Sequence, residues 1–143
     1  MGDLTPILIE EARNTLAVYQ GMVLRTLEGK PAIPPRHLRD IVIPALENDS
    51  LGNTVIVAPP ESAKTFSLIG AAGWWLGRNP DSHIGYICEA RPQAVRRSRA
   101  VRDTLEFNQV YKNIFPNALP DTDKSWTEDE WYLKRNNDNA KKH

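Results

Sequence analysis

The sequence predicts an α/β fold, in which a parallel sheet carries helices and an N-terminal helical extension precedes it. Apolar residues at helical spacing open the chain, and two short β-branched segments later flank a helical stretch. These two segments and the helix between them cover residues 55–88, about the length of one βαβ unit. The 143 residues suffice for one domain of this kind.

The composition excludes several classes of protein. Apolar residues make up 41% of the chain and charged residues 25%, which is typical of a globular protein. The 18 basic residues balance the 18 acidic ones, so a nucleic-acid contact would need a local patch. The single cysteine, Cys88, excludes a disulfide framework and a multi-thiolate zinc site. No apolar stretch reaches the roughly 18 residues of a membrane span and no secretory pattern opens the chain, so we expect a soluble intracellular protein without a membrane partner.

Residues 1–35 are predicted to form the extension, which consists of one amphipathic helix and a proline-rich linker. Apolar residues recur every three to four positions from Pro6 to Leu27. The glycine and prolines of residues 29–35 end this helix. A second helix is predicted from Arg36 or His37 to Glu47, and Pro44 within it should kink or shorten it.

The rest of the chain, residues 36–143, is predicted to be one partial α/β domain. The first strand is apolar on both faces, which is typical of a strand covered by helices in a parallel sheet. The predicted elements after residue 53 are a strand at 54–58, a helix at 64–76, a strand at 83–88, a helix at 92–107 and a short strand at 130–133.

The segment between the first strand and the next helix could bind phosphate. Residues 58–65 read Ala-Pro-Pro-Glu-Ser-Ala-Lys-Thr, a variant of the phosphate-loop pattern G-x-x-x-x-G-K-[ST] in which alanine replaces both glycines. Phosphate is held mainly by backbone N–H groups at a helix N-terminus. We predict that Lys64 faces the outer phosphates of ATP and that the Thr65 hydroxyl ligates Mg²⁺. The residues predicted to bind the nucleotide through their amides are Glu61, Ser62, Ala63, Lys64 and Thr65.

The same segment allows a second interpretation. Two prolines, an N-capping Ser62 and an ordinary lysine would make a simple turn before a helix. Glu61 would place a carboxylate near polyphosphate, and the motif with both glycines replaced often occurs by chance. Alanine at a left-handed glycine position costs about 1–2 kcal/mol, which a rigid loop can absorb. The chain would then be a non-catalytic interaction module with a turn that only looks like a phosphate loop. A third alternative is another phosphate-loop enzyme, such as a helicase-like ATPase.

Several runs in fixed order resemble the ATPase domain of tailed-phage terminase large subunits. They are residues 55–65, 71–81 and 99–103 and the later Ile114-Phe115-Pro116, and the likeness extends from about His37 to Leu133. The resemblance implies a P-loop NTPase-like parallel sheet that binds ATP and Mg²⁺. It also implies a motor that drives double-stranded DNA into the procapsid in the host cytoplasm. Its partners would be the portal and the small terminase subunit, and complete copies would form a ring.

Two parts of that family's machinery are missing from the sequence. Hydrolysis needs a Walker B strand that ends in acidic residues, and the nearest candidate, residues 84–88, is followed by the single carboxylate of Glu89. The carboxylate cluster of the nuclease domain is absent as well. We therefore expect an incomplete ATPase domain over residues 36–143 that binds nucleotide weakly without turnover, and no catalytic residue is assigned.

A group of arginines is the candidate contact for DNA or for a neighbouring subunit. Arg96, Arg99 and Arg102 lie three residues apart, so they share one face of the predicted helix. This face could contact DNA phosphates or a neighbouring subunit's nucleotide, or it could simply be solvated. Before the loop, the resemblance places Arg36 or His37 near the adenine base, and a helix cap or a surface histidine is the alternative for His37.

Overall fold

The computed structural model describes residues 5–48, 50 and 53–135. Contacts divide the chain into two compact units, residues 1–71 and 72–143. The boundary between them falls within one helix, Lys64–Arg78. The domain boundary between residues 35 and 36 stays a prediction.

The described residues form six α-helices and one π-helical turn. The π-helical turn, Leu38–Val42, leads directly into the third α-helix. The α-helices are α1 (Pro6–Asn14), α2 (Leu16–Val23), α3 (Ile43–Glu47), α4 (Lys64–Arg78), α5 (Arg91–Phe107) and α6 (Gln109–Ile114). The helices predicted at 64–76 and 92–107 are confirmed as α4 and α5.

The predicted parallel sheet, and with it the α/β and P-loop NTPase-like fold class, is wrong. Within the described residues no β-strand is present, and extended pairing is limited to three isolated bridges, Arg25–Pro31, Pro120–Leu133 and Trp126–Trp131. Val55 and Val57 in the first predicted strand are 85% and 92% exposed, whereas a strand of a parallel sheet is covered. A strand needs a neighbouring strand for its backbone N–H and C=O groups, and β-branched side chains alone supply none.

The N-terminal helix is broken into α1 and α2 at Thr15, where the backbone is extended (φ −130°, ψ 114°). Thr15 N donates to Glu11 O at 2.8 Å, which closes α1. Leu16 N then begins α2 and donates to Glu47 Oε1 at 2.5 Å. A carboxylate is favourable at this end of a helix because the first N–H groups carry partial positive charge. Glu47 therefore caps α2 from a distant part of the sequence.

Pro44 explains the π-helical turn. In a regular α-helix the proline ring would clash with the carbonyl four residues earlier and would lack an N–H to donate. The turn widens just before this position, and Ile43 N donates to Leu38 O, five residues back. The kink predicted at Pro44 takes this form, and the helix continues to Glu47.

The second unit buries two tyrosines to different degrees. Tyr111 is fully buried, and its hydroxyl donates to Gly73 O at 3.0 Å. Burial raises the pKa of the Tyr111 hydroxyl far above its ordinary value. Burial also raises the pKa of Tyr86 to about 12, against the opposing effect of the nearby Arg97 charge. Both hydroxyls therefore stay protonated in the folded unit at a pH where an unfolded chain would release the protons.

We expect the second unit to lose stability as the pH rises above the ordinary tyrosine pKa of 10.0. The unfolded state then binds fewer protons than the folded state, so the free energy of unfolding falls continuously toward pH 12. Tyrosinate absorbance and tryptophan fluorescence, followed together during an alkaline titration, measure this. Tyr111→Phe removes one of the two groups and should reduce the slope. A fluorescence signal that stays constant while all tyrosines titrate near pH 10 would contradict the expectation.

Candidate phosphate-binding site

Residues 58–63 form the loop that leads into α4. Pro59 and Pro60 have no backbone N–H to donate, and a turn follows at residues 60–61. Lys64 is the first residue of α4 and Thr65 lies directly after it in the first turn. The amides from residue 61 onward therefore stand at the N-terminus of a 15-residue helix, where partial positive charge favours anions.

Two residues of the loop have left-handed backbone conformations. Glu61 and Ala63 both have φ of 60°, which is uncommon for residues with a Cβ. Ala63 occupies the position that glycine holds in the phosphate-loop pattern, and it adopts the conformation that favours glycine. Each left-handed residue of this kind costs about 1–2 kcal/mol. Strained residues persist where the surroundings hold them, and such sites are commonly functional.

The Lys64 side chain folds back over the loop. Its Nζ donates to Ala58 O at 3.0 Å and to Pro59 O at 2.8 Å. The residue is half-buried, so the ammonium group lies against the backbone of the loop rather than extending into solvent. These two hydrogen bonds connect the two ends of residues 58–64 and place a positive charge against the carbonyls of the loop.

Ser62 lies between the two left-handed residues. Its Oγ is buried without a hydrogen-bond partner within the described part of the chain. An N-capping serine would accept a backbone N–H with this atom, so the N-capping interpretation of Ser62 has no support here. The Ser62 carbonyl lies 3.4 Å from His37 Nε2, which can donate to it when that nitrogen carries the proton. A histidine at the start of the second helical segment thus contacts the loop.

The donors fit a phosphate group better than a free metal ion. Lys64 supplies a cation and Ser62 an unpartnered hydroxyl, whereas the Glu61 side chain is exposed. Across the residues that are described, no group of three or more His, Cys, Asp and Glu side chains could hold a metal ion. Mg²⁺ takes few protein ligands when it binds together with phosphates. The half-buried Thr65 is positioned in the sequence to be such a ligand.

The three arginines of α5 have different environments. Arg102 is only 16% exposed, and it donates to Thr127 O at 3.0 Å and to Asp103 Oδ1 at 3.0 Å. Arg99 forms an ion pair with Glu128. Arg96 is exposed, and none of the described ion pairs involves it. Two of the three side chains therefore hold residues 127–128 against α5, and a DNA contact of this face stays a prediction.

A second ion pair joins α5 to the segment that follows residue 126. Arg91 at the start of α5 pairs with Asp129. The Arg91 guanidinium, with help from the Thr127 hydroxyl, holds the pKa of the Asp129 carboxyl below its ordinary value. Near this ion pair lies a cavity of about 420 Å³. Trp131 and Tyr86 are among the residues that line it. Sequence reasoning did not find this cavity because its walls come from segments that are far apart in the chain.

Comparisons of the chain with protein-family models, with curated proteins and with solved structures find no match. Among the described residues, no helix has both the length and the apolar character that crossing a bilayer requires.

Replacing Ala63 with glycine should stabilise the first unit. Relief of the left-handed strain should raise the free energy of unfolding by about 1–2 kcal/mol. The greater freedom of glycine in the unfolded chain should lower it by about 0.5–1 kcal/mol. Urea unfolding followed by circular dichroism should therefore show a gain of about 0.5–1 kcal/mol. The matched control is Ala12→Gly inside α1, which should lose about 1 kcal/mol. A loss for both variants would mean that residue 63 is not left-handed in solution.

Arg102→Ala and Arg96→Ala should differ in their effects on the second unit. Arg102 is half-buried and donates to a carbonyl, so Arg102→Ala should lower the free energy of unfolding by about 1 kcal/mol. Arg96 is exposed, so Arg96→Ala should lower it by less than about 0.5 kcal/mol. All four tryptophans lie in residues 72–143, so denaturation followed by tryptophan fluorescence reports on this unit. Equal effects of the two substitutions would contradict the described role of Arg102.

Proposed function

We propose that residues 58–65 bind the phosphate groups of ATP together with Mg²⁺. The observation that carries the proposal is the Lys64 side chain, whose Nζ lies on the carbonyls of Ala58 and Pro59 inside a turn with two left-handed residues. Here a positive charge, helix amides and an unpartnered hydroxyl are brought together within a few residues.

Each residue of the loop has a separate part in binding. The amides of Glu61, Ser62 and Ala63 and those of the first turn of α4 donate to phosphate oxygens. The Lys64 ammonium exchanges its two backbone acceptors for the more strongly charged outer phosphates. The Thr65 hydroxyl is the ligand for Mg²⁺. Glu61 is exposed, so its carboxylate can stay in solvent while its amide faces the ligand.

We further propose that the chain is the ATP-binding part of a viral DNA-packaging motor. The resemblance of residues 55–65 and the downstream runs to terminase large subunits supports this. The same resemblance supports double-stranded DNA, the portal and the small terminase subunit as partners, a ring of copies, and the host cytoplasm as the location. No residue of this chain is proposed to catalyse hydrolysis, because no second carboxylate accompanies Glu89 after the nearest Walker B candidate.

One observation favours an interaction module instead. Val55 and Val57, just before the loop, expose most of their apolar surface. Exposed apolar patches commonly mark contacts with other proteins. Under this alternative the chain binds a partner protein through residues 54–57, and the loop holds no nucleotide.

Nucleotide titration of the wild-type protein and of Lys64→Ala separates the two functions. We expect the wild-type protein to bind a fluorescent ATP analogue with Mg²⁺ in the micromolar to millimolar range. Lys64→Ala should weaken this binding by about tenfold or more, because charge-assisted hydrogen bonds are worth roughly 1.5–3 kcal/mol. The matched control is Lys30→Ala, since Lys30 is an exposed lysine of the same unit whose ammonium pairs with Glu28.

Thr65→Ala should remove most of the Mg²⁺ dependence of the binding while leaving the metal-free affinity nearly unchanged. If the wild-type protein binds no nucleotide at millimolar concentration, the phosphate-binding proposal is wrong and the interaction module is preferred. If Lys64→Ala and Lys30→Ala bind equally well, the nucleotide binds elsewhere on the chain.

A further inference from the structure

Gln20 is a buried polar residue in the middle of α2. It is 1% exposed and lies among the apolar residues Leu16, Tyr19 and Val23, which are also buried. Its Nε2 donates to Ser67 O at 3.0 Å in a buried hydrogen bond. A buried amide is costly unless it is bonded, so this contact fixes where α2 can lie against α4.

Ser67 connects this contact to the candidate phosphate loop. It lies one turn into α4, and its backbone N donates to Ala63 O at 3.0 Å. Ala63 is the left-handed residue that precedes Lys64. A short chain of hydrogen bonds and one helical turn thus joins the Gln20 side chain to the last residue of the loop.

Gly70 allows α2 and α4 to approach closely. A Cβ at this position would lie 2.7 Å from Gln20 Nε2 and 2.9 Å from Leu24 Cδ1. Real Cβ atoms essentially never approach so closely, so a larger residue at position 70 would displace the ends of the Gln20 and Leu24 side chains. The space at Gly70 and the hydrogen bond to Ser67 O therefore involve the same Gln20 amide and form one point of fit between α2 and α4.

The other end of α2 is also held. Glu47 accepts the amide of Leu16, so α2 is fixed to α3 at its first residue and to α4 in its middle. His37 contacts the Ser62 carbonyl from the segment that leads to α3. The loop and the first turn of α4 are therefore supported by elements from the N-terminal part of the chain.

We infer that α2 holds the phosphate loop in its binding conformation and that Gln20 is the positioning residue for this effect. Gln20 does not touch the nucleotide. It fixes the first turn of α4, and through Ser67 it fixes the amide groups that donate to phosphate. This inference rests on the proposed nucleotide binding, which it extends to the N-terminal helices. Small displacements of binding groups are costly because their donors must point at the ligand.

The test uses the full chain with Gln20→Leu, which removes the donor at similar volume, and Gly70→Ala, which keeps the donor but displaces it. Binding of a fluorescent ADP analogue with Mg²⁺ is measured at a temperature where circular dichroism shows each variant folded. We expect each substitution to weaken binding by about fivefold to tenfold, the equivalent of one hydrogen bond. The double variant Gln20→Leu/Gly70→Ala should be no weaker than the worse single variant, because both substitutions act on one contact.

A second readout separates positioning from general destabilisation. The backbone amide resonances of Lys64 and Thr65 should shift in Gln20→Leu and in Gly70→Ala. They should stay in place in Ala12→Gly, which destabilises α1 of the same unit and should keep wild-type affinity. If Gln20→Leu does not fold, Gln20→Met supplies the same comparison with a more flexible side chain.

The outcomes distinguish this inference from the function on which it rests. A wild-type protein that binds no nucleotide overturns both. A wild-type protein that binds, with Gln20→Leu and Gly70→Ala binding equally well, overturns the positioning role alone. Equal weakening by Ala12→Gly also overturns it, because loss of stability would then explain the effect.

Discussion

The two hydrogen bonds from Lys64 Nζ to the carbonyls of Ala58 and Pro59 hold together the most strained part of the chain. Without them, the left-handed Glu61 and Ala63 would have little reason to keep their conformations. A charge-assisted hydrogen bond stabilises a structure by roughly 1.5–3 kcal/mol, and a left-handed residue with a Cβ costs about 1–2 kcal/mol. The stabilisation by the Lys64 bonds is therefore comparable to the strain of the loop. A ligand that binds the Lys64 ammonium group in place of these carbonyls would therefore have to accept hydrogen bonds of at least equal strength.

Support for this loop comes from contacts that are distant in sequence. Glu47 caps α2, Gln20 bonds α4, and His37 reaches the Ser62 carbonyl. Each contact lies at a helix end or on a buried helix face, where a single polar group has few alternative partners. The first unit is thus organised by a small number of directional bonds in addition to its apolar core.

Features that depend on neighbouring residues could be predicted from the sequence, whereas features that depend on contacts between distant residues could not. The period of apolar residues predicted α4 and α5, and the loop motif predicted the left-handed position of Ala63, because both are local features. The sheet was wrong because β-branched composition at residues 54–58 says nothing about a pairing strand. Glu47 bonds the Leu16 amide just after the break at Thr15, and Arg102 bonds the Thr127 carbonyl, across 31 and 25 positions of the chain. Neither contact could be inferred from local spacing. The role of Gln20 has one indication in the sequence, which is that a polar residue lies on an otherwise apolar helix face.

The exposed valines at positions 55 and 57 also bear on how the protein behaves at high concentration. Their side chains present apolar surface next to a loop that contains two prolines, which limits how far the segment can extend as an edge for strand pairing. The chain has an isoelectric point near 6.8, so neutral buffers provide no electrostatic repulsion between molecules. Buffers about one to two pH units away from that value would supply the missing repulsion and keep crystallisation or NMR samples from precipitating.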